Sequence, residues 1–252
     1  MDPRLYRSFY EIEEHFWWSV GTRRVFFDTI HECLERTPMR VLDVGCGTGI
    51  MLRELPRVGA TACGLDASAL ALSFCRQRGL ADLVRGDATR LPFKTDALEL
   101  VLALDLVEHV ADDLGCVQEL ARVCRVGGHL LIHVPAFPFL WTRKDVMNHH
   151  YRRYRRDGLA RIVRQCGLHI VRLFYINAFV FPVAVLQSIA ERAGDRVRSA
   201  AAVDADGVER LYRIPATINR WMLALMKLEG ALSRRARLPF GMSLVCLAEK
   251  RA

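Results

Sequence analysis

A glycine-rich turn after a short apolar run is the first segment of this sequence that could do chemistry. Residues 40–44 predict a buried strand, and Gly45, Gly47 and Gly49 follow it at alternate positions. A turn without Cβ atoms lets the backbone approach a nucleotide-like ligand closely. The spacing differs from the G-x-G-x-x-G of dinucleotide sites, and no Gly-Lys-Ser/Thr follows for a phosphate loop. The turn therefore favours another nucleotide-like cofactor.

A second group, rich in His, Arg and Tyr, lies in residues 148–156. A neutral His can align an acceptor hydroxyl or amine and remove its proton near physiological pH. The candidate catalytic residues are His150, His149 and Tyr154, and the candidate substrate contacts in this run are Tyr151, Arg152 and Arg153. The alternative stays open that the run is a solvated surface that caps a helix or binds an anion.

The elements that must position these residues follow from the hydrophobic pattern, in which short apolar runs alternate with helical periods. This pattern is typical of βαβ units and a parallel sheet. Strands are predicted at 40–44, 61–65, 83–85, 98–104, 130–134, 169–176 and 243–249, and helices at 11–35, 50–58, 68–78, 116–124, 158–166, 179–190 and 218–232. The predicted fold class is α/β, with a doubly wound, seven-stranded, mostly parallel sheet. Ligands of such sheets bind beyond the carboxyl ends of the strands.

The interval between the last two predicted strands is too long for a simple connection. We therefore divide the chain into N-terminal cap helices (1–38), a core (39–181 and 240–252) and an inserted helical lid or subdomain (182–239).

At the glycine turn the sequence resembles the class I S-adenosylmethionine-dependent methyltransferases, in particular the quinone-biosynthesis, type 11 small-molecule group. The resemblance covers roughly residues 40–180. It rests on the turn with Asp43 before it, on residues 64–68 and on residues 86–88. It implies a Rossmann-like methyltransferase fold with an antiparallel last strand, S-adenosylmethionine as cofactor and S-adenosylhomocysteine as product. The implied cofactor contacts are Asp43, Gly45, Cys46, Gly47, Gly49, Asp66, Ala67, Asp87, Ala88, Leu104, Trp18 and Arg24.

The resemblance also implies roles for three of these acids. Asp43 would bond the cofactor ammonium, Asp66 would accept from both ribose hydroxyls, and Asp87 would accept from the exocyclic amine of adenine. The alternative for Asp66 is that it only caps the helix at Ser68.

The N-terminal segment resembles a cap helix that folds over the cofactor. Arg23 or Arg24 would then pair with the cofactor carboxylate, while Trp18 would cover it. The alternative is that the tryptophans merely seal the core.

The predicted fourth strand leads into Glu108 and His109, in the segment that the resemblance places beneath the reactive methyl. His109 is a candidate substrate contact, and a role of the pair in positioning the loop is the alternative. The tetrapeptide N/D-P-P-Y/F of nucleic-acid amino methyltransferases and the Pro-Cys pair of cytosine C5 enzymes do not occur there. A nucleic-acid base is therefore disfavoured as the acceptor.

The charge and the composition of the chain limit the possible functions further. The 252 residues carry a net charge of +8, with −4 over residues 1–140 and +12 over residues 141–252. The basic half is expected to meet an anionic substrate or an acidic membrane face. The eight cysteines form no C-x-x-C or Cys/His cluster, so no metal site is predicted and reduced thiols are expected.

These observations predict methyl transfer, by O- or N-methylation, to a small anionic or amphiphilic, lipid-like acceptor. The protein is expected in the cytoplasm, with peripheral contact at the inner membrane face through residues 179–239. The alternative is a nucleic-acid-binding protein or RNA methyltransferase that retains the cofactor fold.

Overall fold

The computed structural model describes residues 3–31, 39–195, 214–235 and 238–252. The strands are β1 (Met39–Val44), β2 (Ala60–Asp66), β3 (Leu83–Arg85), β4 (Leu98–Leu104), β5 (Cys124–Pro135), β6 (Leu168–Ile176) and β7 (Ser243–Lys250). They form one sheet in the order β3-β2-β1-β4-β5-β7-β6. Strands β1 to β5 pair in parallel, and β7 lies antiparallel between β5 and β6. The predicted fold class is confirmed.

Helices cover both faces of the sheet. They are α1 (Pro3–Ile12), α2 (Trp17–His31), α3 (Ile50–Glu54), α4 (Ala69–Gln77), α5 (Asp113–Val123), α6 (Arg143–Met147), α7 (Arg156–Gln165), α8 (Phe181–Asp195) and α9 (Ala216–Arg235). Short 3₁₀ turns follow at Leu55–Val58, Val107–His109 and Pro138–Leu140.

The sheet separates two hydrophobic cores. Leu130 of β5 packs with α5 and α7, whereas its neighbour Leu131 packs with α2, α3 and α4 on the other face. Successive strand residues point to opposite faces, so a strand covered on both sides needs a continuous apolar run. For this reason the central strands could be predicted from the sequence.

Several elements differ from the sequence prediction. The predicted helix 11–35 breaks after Ile12 and restarts at Trp17, while its end lies outside the described residues. The helix predicted at 116–124 ends at Val123, and the strand predicted at 130–134 begins directly after it, at Cys124. Gly127 has φ +74° and lies in the strand, so its role is to bend β5 rather than to end a helix.

Helix α9 packs across the start of α2. The Asn219 side chain accepts from Trp17 N–H (2.8 Å) and donates to the carbonyl of His15 (2.8 Å), which caps the restarted helix. Gly21 lies so close to the Met226 side chain that a Cβ there would overlap the sulfur. The predicted cap and part of the predicted lid are therefore in direct contact.

The predicted lid, 182–239, is described only in part, as α8 and α9, because residues 196–213 and 236–237 lie outside the description. Within the described residues, no helix combines the length and apolarity that a membrane crossing requires.

Candidate functional site

The three glycines of the turn after β1 all adopt a left-handed backbone, with φ of +73°, +56° and +83° at Gly45, Gly47 and Gly49. A Cβ on Gly45 would lie 2.9 Å from Leu106, and one on Gly49 would lie 2.8 Å from the Cys75 sulfur. A Cβ on Gly47 would meet nothing within 4 Å. The outer two glycines are needed for packing, whereas Gly47 leaves open space where a ligand can reach the backbone.

Asp66, at the end of β2, is bonded to this turn. Its Oδ2 accepts from Gly47 N–H at 3.0 Å and its Oδ1 accepts from Ser68 N–H at 2.8 Å. Ser68 is the N-cap of α4, its hydroxyl accepting from Ala71 N–H at 3.2 Å. Asp66 thus supports the helix start and also holds the glycine turn.

Asp43 is buried beneath the turn and is the second carboxyl group of the site. Burial, with the nearby charge of Asp66, raises the pKa of Asp43 to about 7. Burial also raises the pKa of Asp66, against the effect of its two backbone hydrogen bonds. An acid whose ionisation is disfavoured by burial and by a neighbouring carboxylate is suited to a cationic ligand, such as an ammonium group.

The end of β3 adjoins Asp66, whose carbonyl accepts from Gly86 N–H at 3.2 Å. The next residue, Asp87, accepts through Oδ1 from the N–H (2.8 Å) and hydroxyl (2.9 Å) of Thr89, and these bonds lower its pKa. Ala88 is buried beside it, while Ala67 is exposed. The structure brings the predicted cofactor acids to one edge of the sheet, at the ends of β1, β2 and β3.

Glu13 and Glu14, which lie between α1 and α2, connect the N-terminal helices to the glycine turn. Glu13 accepts a short hydrogen bond from the Thr48 hydroxyl, and Arg78 joins Glu13 at 2.5 Å and Glu14 at 2.6 Å. Arg78 Nε also donates to the Thr48 carbonyl at 2.9 Å. Burial raises the pKa of Glu13. Sequence reasoning missed this set, because the amphipathic period of 11–35 conceals the break and the partners are distant in sequence.

The N-terminal residues predicted to contact the cofactor are placed as follows. Arg24 is exposed, whereas Arg23 is buried, donates to the Glu13 carbonyl at 2.6 Å and pairs with Glu54 at 3.4 Å. Trp18 is half-buried and stands edge to face with Trp17, with ring centroids 5.5 Å apart. Of the two arginines, Arg23 is bonded within the fold, whereas Arg24 is exposed to solvent.

Two histidines from distant segments meet at the end of β4. The rings of His109 and His150 are nearly perpendicular, with centroids 4.6 Å apart. Nδ1 of His150 lies 2.9 Å from Oδ1 of Asp145. Burial, followed by the charge of His150, lowers the pKa of His109 to about 4, so its ring is neutral at physiological pH.

Asp145 organises this cluster from the start of α6. It is buried, its Oδ1 and Oδ2 accept from Arg153 at 2.8 and 2.9 Å, and Oδ2 also accepts from Thr142 N–H at 2.9 Å. Its pKa falls to about 2, because the hydrogen bonds from His150 and Arg153 outweigh burial. Sequence reasoning missed Asp145, although an acid five residues before a candidate His is a usable signal.

The other residues of 148–156 do not join the histidine cluster, and each has contacts or exposure of its own. Tyr154 is buried in the core, and its hydroxyl donates to Asp113 at 2.9 Å, which argues against our catalytic prediction for it. Arg152 pairs with the same Asp113 at 2.7 Å. Tyr151 is 61% exposed, and His149 is exposed with φ +57°. Only His150 of the predicted catalytic set faces the end of β4.

Backbone strain collects at this same edge. Positive φ angles between 52° and 62° occur at four non-glycine residues here: Asp105, Phe137, His149 and Asn177. Asp105 and Asn177 directly follow β4 and β6, and Phe137 lies two residues after β5. Non-glycine residues in this region are uncommon and cluster at functional sites. Leu104 ends β4, and Leu106 packs on Gly45, so the histidine cluster adjoins the glycine turn.

Comparison with known proteins finds similarity to methyltransferases. Residues 42–132 match the family model described as a methyltransferase domain. The chain is 34% identical over 158 residues to a biotin biosynthesis bifunctional protein of Cellvibrio japonicus, covering 60% of this chain and 31% of that protein. It is 40% identical over 93 residues to a demethylmenaquinone methyltransferase of a Mycobacterium species (strain KMS), covering 37% and 40%.

Both relatives are much longer than the matched part, so the chain spans 31% and 40% of their length. A solved structure of a putative sarcosine dimethylglycine methyltransferase from Galdieria sulphuraria matches with a TM-score of 0.59 at 17% identity, over 92% of this chain and 86% of that one. At this identity the structural match shows the fold alone.

The predicted fold is confirmed, and the match of residues 42–132 supports the predicted methyltransferase family and its cofactor, while the individual contact residues stay predictions. The open space at Gly47 and the acids Asp43 and Asp66 fit such a cofactor. Residues 42–132 therefore carry a methyltransferase domain, in a chain whose sequence is similar to that of a demethylmenaquinone methyltransferase.

Proposed function

We propose that this protein methylates an oxygen or nitrogen atom of a small anionic or amphiphilic acceptor that binds beside His109 and His150. The observation that carries the proposal is the contact between the two histidines at the end of β4, next to the glycine turn. S-adenosylmethionine supplies a methyl group on a sulfonium, and the protein must align the acceptor in line with it.

The cofactor half of the site binds through backbone and carboxylates. Gly47 N–H and the oxygens of Asp66 lie together, so ribose hydroxyls can bond where the turn is open. In this proposal the buried Asp43 binds the ammonium group, and the exposed Arg24 of α2 binds the carboxylate. Leu104, Asp87 and Ala88 complete the proposed cofactor contacts, with Trp18 as part of the cover.

The acceptor half of the site is formed by His150. Asp145 fixes the ring through Nδ1, so Nε2 is the atom that we assign to activation of the acceptor. A neutral hydroxyl or an N–H amine loses a proton when it takes the methyl group, so a polar cluster beside the acceptor assists the transfer, whereas an anionic oxygen needs alignment only. The polar cluster therefore favours O- or N-methylation.

The amphiphilic nature of the acceptor is supported by apolar surface near the same edge. Phe137 stacks on Tyr175 with ring centroids 5.1 Å apart and meets Phe181 of α8 at 5.4 Å. The outer side of α8 exposes Val183, Leu186 and Ile189, and α9 exposes Trp221. We propose that residues 182–239 act as a lid, and that these side chains contact an acidic membrane surface.

The name of the Mycobacterium relative supports a prenylated phenol as the first acceptor to test. Calorimetry should show binding of S-adenosylmethionine and S-adenosylhomocysteine, and methyl transfer should follow with a short-chain demethylated quinol or a fatty-acyl carboxylate. Absence of cofactor binding would refute the proposal. Steeply salt-dependent binding to RNA or DNA, without small-molecule turnover, would favour the nucleic-acid alternative.

A further inference from the structure

The histidine cluster contains a third group with chemistry of its own, the carboxylate of Glu108. One ligand atom each of Glu108, His109 and His150 lies within 4.8 Å of the others. Two imidazoles and one carboxylate at this separation can converge on one small cation. The three residues come from two segments some forty positions apart, so no spacing motif signals them in the sequence.

Glu108 is fully buried, and neither of its carboxylate oxygens has a hydrogen-bond partner. Such a group is costly to bury without compensation, and a cation bound to it is one way to offset that cost. The surrounding charges are mixed: Asp105 and Asp145 oppose the ionisation of Glu108, and Arg153 favours it. A bound cation would satisfy the carboxylate and balance the excess of acids.

Both imidazoles already have the outer partners that metal-bound histidines commonly have. His150 is held through Nδ1 by the buried carboxylate of Asp145. His109 hydrogen-bonds to the backbone of His149. A ring nitrogen bonded to a carboxylate or carbonyl fixes the tautomer and leaves the other nitrogen as a ligand. These contacts are a second observation, independent of the buried carboxylate.

We propose that Glu108, His109 and His150 bind a divalent first-row transition-metal ion that coordinates the acceptor. Two nitrogen ligands and one oxygen ligand suit Zn²⁺, Fe²⁺ or Mn²⁺ and leave positions for an acceptor atom. This inference rests on the proposed function and specifies how Nε2 of His150 acts there. An acceptor hydroxyl bound to the ion would lose its proton to water. The resulting anionic oxygen would form a bond to the methyl carbon as the carbon–sulfur bond of the sulfonium breaks, with S-adenosylhomocysteine as the leaving group.

The test uses full-length protein treated with a chelator and then titrated with Co²⁺ and Zn²⁺. We expect one ion per chain, and visible absorption bands of Co²⁺ with nitrogen and oxygen ligands. His150→Asn and His109→Asn should weaken binding by about tenfold or more. The matched control is His169→Asn, an exposed histidine at the start of β6, which should bind the ion as the unaltered protein does.

Glu108→Gln separates a ligand from a residue that only packs. It should lose the ion, while the metal-free variant should melt no lower than the metal-free parent, because an unpartnered buried charge is removed. A melting temperature that falls with unchanged ion affinity would overturn the proposal. So would a protein that binds S-adenosylhomocysteine but no ion. Failure to bind S-adenosylhomocysteine, with the ion bound, would instead overturn the proposed function.

Discussion

Gly47 donates its N–H to the carboxylate of Asp66 at 3.0 Å, so the ends of β1 and β2 are joined at the point where the glycine turn is most open. The same carboxylate accepts from Ser68 N–H, at the start of α4. The sequence allowed two roles for Asp66, support of a helix start and a contact to the cofactor. Its position is compatible with both, because it bonds to the start of α4 and lies beside the open part of the glycine turn.

Replacing this acid tests the cofactor site. We expect Asp66→Ala to weaken binding of S-adenosylhomocysteine by at least about tenfold, because charge-assisted hydrogen bonds contribute about 1.5–3 kcal/mol each. Calorimetry measures the change. Asp82→Ala is the matched control, since Asp82 is exposed just before β3 and should leave the affinity unaltered. Equal affinities for the two variants would remove Asp66 from the site.

The raised pKa of Asp43 predicts a pH dependence of cofactor binding. Its carboxyl is protonated below about pH 7, because of burial and the charge of Asp66. A cofactor ammonium prefers the ionised carboxylate, so binding below that pH must release a proton. Affinity should then rise by up to about tenfold per pH unit towards pH 7 and level off above it.

Calorimetry in two buffers of different ionisation enthalpy measures the released proton directly. Asp43→Asn should abolish both the proton release and the slope. The stability of the cofactor-free protein depends on pH in the opposite direction. The pKa of Asp43 is higher in the folded than in the unfolded state, so the free energy of unfolding falls as the pH rises from about 4 to 7. A flat affinity profile in the unaltered protein would contradict the assigned role of Asp43.

The attachment of the N-terminal helices depends on Arg78. Its side chain is buried and pairs with Glu13, which also accepts from Thr48 of the glycine turn. Arg78→Leu leaves Glu13 buried without its cation, and we expect a loss of about 3 kcal/mol in the free energy of unfolding. Arg76→Leu, at an exposed position near the end of α4 and two residues before Arg78, is the control. Urea unfolding measures both variants, and similar losses for the two would refute the role of Arg78 in attaching the N-terminal helices.

The strands, the core and the glycine turn could be predicted because each depends on the local sequence alone. The strand β4 was predicted to the residue, since a strand covered on both faces is nearly all apolar and only Glu99 in β4 is polar. Glu13 and Arg78 could not be predicted, because their roles depend on partners brought together by the fold. Tyr154 shows the converse: its motif suggested chemistry, but its hydroxyl is bonded to Asp113 in the core.

The exposed apolar side chains of α8 and α9 predict binding to an anionic membrane. Leu186 is 68% exposed and Trp221 is 77% exposed. Burial of each would contribute about 1.5–3 kcal/mol, so replacing both with Glu should reduce vesicle binding by about a hundredfold or more. Co-sedimentation with vesicles of phosphatidylglycerol and phosphatidylcholine measures the bound fraction. Val126→Glu is the control, because Val126 is also exposed but lies near the start of β5, at the opposite edge from the site. If the control loses binding as strongly as the double variant, added negative charge alone explains the effect and the two helices are not the contact surface.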